Sequence, residues 1–561
     1  MKKNTLKKLL AFILCVVMLS SVVLTSCKKE ENPQTAAEYR TPFSLVITLV
    51  SEAPVSAETE KLIEDAFNAI TEAKYKTRVD LRYYSEEEYY TALTTMIDKI
   101  INTDEPVTEA PSGDETTAVE EETIINEEYG YSEFKYPEIK ENQVDIMYLS
   151  GAAMYSHFIE SGYLAKLDTA LSTGAKILND YIFPEYLTAM KYNEITYAVP
   201  NNNIAGDYTY MLVNKELAEK YQYSAAMANW TGLSSAEAFI EDIAKYEKAV
   251  LPIFGNPQPI NVHNWSYELG EENGLKTYKL VPSQFSVFGS AMPLQLAENT
   301  VLGFGKALTS SYGTQLQLIQ KLKDKNYVSD KLSEGQEFAV GFVKGNEADV
   351  IDYREDYEVI VVEYPKMTPD SVYENMFGVY SNMADDTTRT NRCMEIISLM
   401  NTDVELRNIV QYGIEGVHYT IDAKTGILKR LNQDYMMDVN KTGNVLIAHA
   451  EEGIDPANID YMRQQNVDAA LYPSINVFLN PEETNFEIIE QANAISKKYA
   501  DKLAACKNSE ELQAVIDESR VDAEISNLNI RWVDDLPTDG LLSPYAAYYA
   551  WLKQMGYVDS E

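Results

Sequence analysis

The sequence predicts an α/β fold that opens on a doubly wound parallel sheet, and three observations carry this. Apolar runs of strand length alternate with stretches of helical spacing from residue 43 onward. A strand-helix-strand series of this kind implies parallel strands joined by crossover helices. Strand-like runs return after residue 338, the last 90 or so residues read as helical, and no repeat of 20 to 50 residues is present, which disfavours a solenoid or propeller.

Each element has its own reason. FSLVITLV (43–50) is a β-branched strand, and Ser56 to about Ala73 follows with Leu62, Ile63, Ala66, Phe67 and Ile70 at helical spacing. TRVDLRYY (77–84) is the second strand. Ser85, with Glu88 three residues on, is a capping-box signature for a helix to about Ile101. VDIMYLS (144–150) is the third strand and turns at Gly151 into an amphipathic stretch ending at Ser161-Gly162. ITYAVPNNN (195–203) follows, then DYTYMLVNKELAEKY (207–221), a strand passing into a helix through Asn214. A helix covers about 234–249, and Pro, Gly and Asn crowd 252–264, a loop composition. FAVGFVKG (338–345), YEVIVVEYP (357–365) and MFGVYSN (376–382) are strand-like, and a helix runs from about Arg389 to Met400.

Residues 102–143 interrupt this pattern. From Asp104 to Glu128 there are ten acids and no Lys or Arg, with Pro106, Pro111 and Gly113 among them. Such a segment cannot bury enough apolar surface to offset chain entropy, so a disordered acidic surface insertion is expected. It lacks the spaced ligands of an EF-hand.

The 561 residues carry 87 Asp plus Glu against 47 Lys plus Arg, a formal net charge of −40. Nucleic acid is therefore not an expected partner, because its binding rests on Lys and Arg neutralising phosphate. Hydrophobic residues at 45% and charged residues at 24% are ordinary for a globular chain and exclude wholesale disorder. The unusual count is 40 Tyr beside 16 Phe and 4 Trp, a bias to flat rings with a polar tip.

Lys2, Lys3, Lys7 and Lys8 precede an apolar run of 16 residues, Leu9 to Leu24. That is short of the roughly 20 residues that span a bilayer, and residues 1–26 read as a secretory signal. Leu24-Thr25-Ser26-Cys27 resembles the bacterial lipobox, in which the Cys27 thiol would take a diacylglycerol and become the mature N-terminus. A plain signal peptide with a chance Cys is the alternative. Loss of the four lysines would take −40 to −44. Residues 27–41 fit a flexible tether. Cys393 and Cys506 then remain, too few for a disulfide framework or a zinc site alone.

Catalytic signatures are missing. His157, His263, His418 and His449 are isolated, and there is no H-E-x-x-H, G-x-S-x-G or P-loop. GFGKAL (303–308) has Leu308 where a third glycine belongs. DVNKTGN (438–444) starts like a calcium loop, but His449 stands where the bidentate Glu is required, so a turn is expected. A pair among the 87 acids could still serve a glycosidase.

Four segments, in order, resemble the extracellular solute-binding proteins of bacterial ABC importers, specifically the large carbohydrate-type lipoproteins. They are 144–168, 195–221, 376–403 (MFGVYSNMADDTTRTNRCMEIISLMNTD) and 407–422 (RNIVQYGIEGVHYTID). The resemblance implies a two-lobed, type II periplasmic-binding-protein-like fold with the ligand cleft between the lobes. Lobe 1 would comprise 42–205 and 377–470, and lobe 2 would comprise 206–376 and 471–561. It implies a monomer held on the extracellular face of the bacterial membrane by its lipid alone, partnered by permease subunits and a mono- or oligosaccharide, with no cofactor, metal or catalysis.

Ligands of open α/β sheets sit at the carboxyl ends of strands. That rule selects Ser51 and Glu52, Tyr84, and Ser150, Gly151 and Met154. The resemblance adds Asn201, Asn202, Tyr208 and Tyr210 near the hinge, Tyr380 on the return strand, and Tyr412 and Glu415 in the QYGIEGVHY loop. Trp265 is the expected stacking ring of lobe 2. Packed core rings, turn asparagines and a solvated Glu52 are the plain alternatives. The functional rivals are a surface glycoside hydrolase and a sugar-sensing lipoprotein without transport.

Overall fold

The structure is a computed structural model describing residues 40–102, 124–126, 131–133, 135–260, 265–282, 311–381, 387–470, 475–480, 483–533 and 540–555. The signal, Cys27, the tether to residue 39 and most of the acidic insertion lie outside the described residues.

The chain opens with β1 (Phe43–Val50), α1 (Ala57–Tyr75), β2 (Thr77–Tyr84), α2 (Glu86–Asn102), β3 (Ile146–Leu149), α3 (Gly151–Glu160) and β4 (Ala198–Pro200). Ser56 starts α1 by accepting the Thr59 N–H. Ser85 accepts the Glu88 N–H at 3.3 Å, and its hydroxyl donates to the Glu88 carboxylate at 2.9 Å. A second sheet follows, with β5 (Tyr208–Asn214), α4 (Leu233–Tyr246), β6 (Leu251–Phe254), α5 (Ser311–Asp324), β7 (Val328–Ser329), β8 (Phe338–Gly345) and β9 (Tyr357–Glu363). The chain returns as β10 (Met376–Val379), α6 (Thr387–Thr402), α7 (Val404–Tyr412) and α8 (Asn458–Asp468). Four helices end it: α9 (Phe486–Ala505), α10 (Ser509–Val521), α11 (Ala523–Val533) and α12 (Pro544–Gln554).

The first sheet has the order β2-β1-β3-β10-β4. Its opening strands are parallel, and β10 runs antiparallel between β3 and β4. Helices cover both faces, so β1 is buried at every position but its first. The second sheet has the order β7-β6-β8-β5-β9. Along β5 the period of two sends Met211 and Val213 to one core cluster, and Tyr208, Tyr210 and Leu212 to another. These are the two α/β lobes expected. Helices α9–α12 form a separate cluster around Ile489, Tyr499, Trp532 and Tyr548, tied to α5 by the Gln317–Gln513 bond and the Ser509 N–H on Asp324.

Three strands go beyond the sequence expectation. Pro252 marks 252–264 as loop, yet β6 is paired on both sides. The N–H groups of Leu251 and Ile253 donate to Glu337 and Tyr327 carbonyls, and the proline between them has no N–H to leave unpaired. Trp265–Glu272 and Leu275–Pro282 form a hairpin, turned by Asn273 (φ 53°) and Gly274 (φ 75°), a two-residue turn that needs positive φ at both positions. Its backbone packs against α3 and α9.

The lobes are joined at Asn201–Asp207, at Tyr364–Asn375 and after Ala470. The Ala470 N–H donates to Pro365 O, and the Met367 N–H donates to Ala470 O, so two crossings are laced together. A Cβ on Gly206 would stand 2.9 Å from Lys366 O, so glycine lets the first crossing lie this close to the second. Cys393 is buried in α6 and Cys506 follows α9, and no disulfide joins them. Among the described residues no helix is long and apolar enough to cross a membrane.

Candidate functional site

The carboxyl ends of β1, β2 and β3 and the start of β10 lie on one edge of the first lobe, beside the crossings. The Ser51 N–H donates to Tyr84 O at 2.9 Å, and the Glu52 N–H donates to Met436 O at 3.1 Å, which draws the 436–444 segment over this edge. Tyr84 is half-buried, its hydroxyl 3.7 Å from Met96 Sδ. Ser150 stands at the α3 N-terminus with no capping hydrogen bond from its side chain, and Gly151 (φ 80°) opens the helix. Met154 is buried in the lobe 1 core.

The hinge carries the unusual chemistry. Asn201, Asn202 and Asn203 are 1%, 1% and 4% exposed, and none of their three Oδ1 atoms has a hydrogen-bond partner. Their surroundings fix the backbone and the amide nitrogens instead. The Asn201 N–H donates to Asn375 O at 2.9 Å, and its Nδ2 donates to Asn440 O at 2.6 Å. The Asn202 Nδ2 donates to Tyr181 O at 3.0 Å. Asn203 O accepts from Tyr186 at 3.0 Å and from Asn466 Nδ2 at 2.7 Å. Each unpaired buried acceptor costs about 1–3 kcal/mol, so three in a row need a reason.

Acceptors also surround the β3 end. The Tyr148 hydroxyl donates to Asn375 Oδ1 at 2.5 Å, and burial pushes that phenol up. Glu374 is pushed up by burial and then by the nearby carboxylates of Asp438 and Asp370, with Lys441 opposing. Lys441 itself donates to Glu86 at 2.9 Å. Buried carbonyls, the solvent-reaching carboxylates of Glu374, Asp370 and Asp438 and the Lys441 ammonium make a surface that takes hydrogen-bond donors and repels anions.

The structure redirects several expected residues. Tyr380 lies at the wrong end: β10 is antiparallel, pairing Met376 with Leu149 and Val379 with Ile146, so the Tyr380 N–H donates to Asp145 O at the amino end of β3. The same reversal brings Glu374 and Asn375, which the sequence reading missed, beside Ser150. Tyr412 is 2% exposed, its hydroxyl on His449 O at 2.9 Å and its ring beneath the Arg430 guanidinium. It belongs to a packed cluster with Tyr419 and Leu428, and burial pushes its phenol up to about 12. Glu415, in the same loop, is exposed. Tyr208 and Tyr210 are buried with rings 5.4 Å apart. The Tyr208 hydroxyl donates to Asp468 of α8 at 2.6 Å, which ties the start of β5 to α8. Trp265 begins the hairpin, opposite Pro282, and its side chain lies outside the described residues.

No family model and no curated protein matches this chain. Solved structures do. The N-glycan transport solute binding protein NgtS of Streptococcus pneumoniae is 16% identical over 87% of this chain and 97% of its own, with a TM-score of 0.49. A solute binding protein associated with an ABC transporter and binding HMO, from Bifidobacterium longum infantis, is 12% identical over 87% of this chain and 98% of its own, at 0.41. The ABC-transporter substrate binding protein FusA of S. pneumoniae, solved with kestose, is 11% identical over 92% and 98%, at 0.38. These neighbours are solute-binding proteins.

Proposed function

We propose that this chain is an extracellular solute-binding protein that captures a carbohydrate between its lobes and delivers it to the permease of an ABC importer, held to the membrane through Cys27. The observation that carries the reading is the row of unpaired buried acceptors, Asn201 to Asn203, set where the chain crosses between the lobes. Sugar hydroxyls are donors that can pair with such carbonyls, and a solute touching both lobes stabilises the closed state that a permease reads. The absence of a catalytic motif in the sequence and the carbohydrate ligands of the structural neighbours agree with capture without chemistry. The lobe bounds, the monomeric state and the membrane face are those of the sequence reading.

Thermal-shift screening against mono- and oligosaccharides tests the reading. At least one sugar raises the melting temperature. If peptides or other solutes do so and no sugar does, the carbohydrate assignment falls. Mass spectrometry of the native N-terminus finding an unmodified Cys27, or a cut elsewhere, removes the anchor.

A further inference from the structure

A cavity of about 610 Å³ lies at the seam between the first lobe and the C-terminal helices. It is set apart from the Asn201–Asn203 row, although Phe478 in its wall packs on Tyr373 of the second crossing. Its lobe 1 wall includes Glu160 at the far end of α3 and Tyr192 and Asn193 of the short 191–196 hairpin, whereas the hinge edge lies at Gly151, where α3 begins. Ten helical residues place about 13 Å between those two ends.

The wall is built from rings and hydrogen-bonding groups. Tyr192 and Phe478 pack with ring centroids 5.0 Å apart, and Trp551 of α12, 6% exposed, faces the same space. Thr484, 2% exposed and lining the cavity, has an Oγ1 with no hydrogen-bond partner. The amides of Asn193, Asn480 and Gln554 and the carboxylates of Glu160 and Glu483 complete the polar side, with Glu160 accepting the Tyr192 hydroxyl at 3.0 Å.

This inventory selects a class of ligand. Among the described residues the charged groups lining the cavity are the carboxylates of Glu160 and Glu483, which repel an anion. An ammonium needs acceptors only and would waste the amide donors and the threonine hydroxyl. A neutral polyol uses donors and acceptors together and lays its C–H face on a ring. We propose that this cavity is a second solute site, separate from the hinge, that takes a neutral, hydroxyl-rich molecule of pyranose size. Because the C-terminal helices are tied to α5 of the second lobe, its occupant bridges the lobes at a second place.

Methyl β-D-glucopyranoside is the probe, followed by saturation-transfer NMR on the full chain at about 50 mM, where even a weak millimolar site fills. The expected result is binding to wild type that persists when the hinge is just saturated with the tightest sugar of the screen. Ala550→Trp, an exposed position at the cavity, weakens it by about tenfold or more, and Thr484→Val weakens it roughly threefold, both with unchanged melting temperature. If Ala550→Trp fails to fold, Thr484→Val decides alone. No transfer to wild type overturns the site, as does equal binding by both cavity variants. Displacement of all bound probe by that sugar assigns the probe to the hinge and equally overturns the site. Displacement of the pyranoside by choline chloride overturns the ligand class.

Discussion

Truncating Asn203 separates a group kept for a ligand from one kept for the fold. Its Oδ1 is buried and accepts no hydrogen bond, a condition that costs about 1–3 kcal/mol. Asn203→Ala removes that cost. The deleted atoms leave a void of roughly 40 Å³, which at about 24 cal/mol per Å³ costs about 1 kcal/mol. The balance lies between about 0 and 2 kcal/mol in favour of the variant, so it melts at or above the wild type. Solute binding moves the other way. A hydroxyl-to-carbonyl hydrogen bond is worth about 0.5–1.5 kcal/mol, so affinity for the tightest sugar of the screen falls roughly 2- to 12-fold. Differential scanning calorimetry and isothermal titration calorimetry read the two quantities. A variant that melts several degrees lower and binds sugar unchanged refutes the reasoning, because Oδ1 would then be a satisfied structural group.

Three further outcomes follow from local geometry. Gly443 has φ +105°, and a Cβ there would stand 2.5 Å from Met400 O, so Gly443→Ala costs about 2 kcal/mol or more in thermal unfolding and displaces the 436–444 segment from the hinge edge. Burial pushes the Asp403 carboxyl up, but the Leu406 N–H and Lys74 outweigh it and hold it below the usual carboxylate range. A depressed folded value means stability present above the ordinary value of about 3.9 and lost as pH falls through the lowered one. Asp403→Ala therefore costs about 1 kcal/mol at neutral pH, the worth of a helix cap, and its deficit against wild type closes in acid unfolding below about pH 4. With Cys393 fully buried and Cys506 half-exposed with a thiol pushed up by burial, a thiol titration of native protein lacking its signal modifies Cys506 slowly and Cys393 only on unfolding; a missing thiol would mean a disulfide.

What was legible in the sequence was what neighbours along the chain decide. The strands β1, β5, β8 and β9 and the Ser85–Glu88 capping box follow from apolar period and cap chemistry, which act within a few residues. The hairpin after Trp265 had a readable signal, Asn273-Gly274 between alternating segments, which the crowded prolines obscured. The site resisted for a different reason. Whether Tyr380 or Asn375 meets the β3 end depends on the direction of β10, set by strands far away in sequence. Likewise nothing within QYGIEGVHY distinguishes an open ring from one packed under Arg430, because that guanidinium arrives from a later strand. The Asn201–Asn203 run was visible as turn or hinge. Only burial shows that its carbonyls go unpaired.

The place of β10 in the first sheet has a consequence for how the chain folds. During vectorial emergence β1, β2 and β3 can assemble early, but β3 and β4 do not touch each other and have no partner between them until Met376–Val379 arrives. The second sheet, by contrast, is continuous from Tyr208 to Glu363 and can close before that. The first sheet is thus completed after the second, with the unpaired edge of β3 exposed while the second sheet forms. Such an edge is a template for wrong pairing, so the step most sensitive to aggregation is the docking of one four-residue strand.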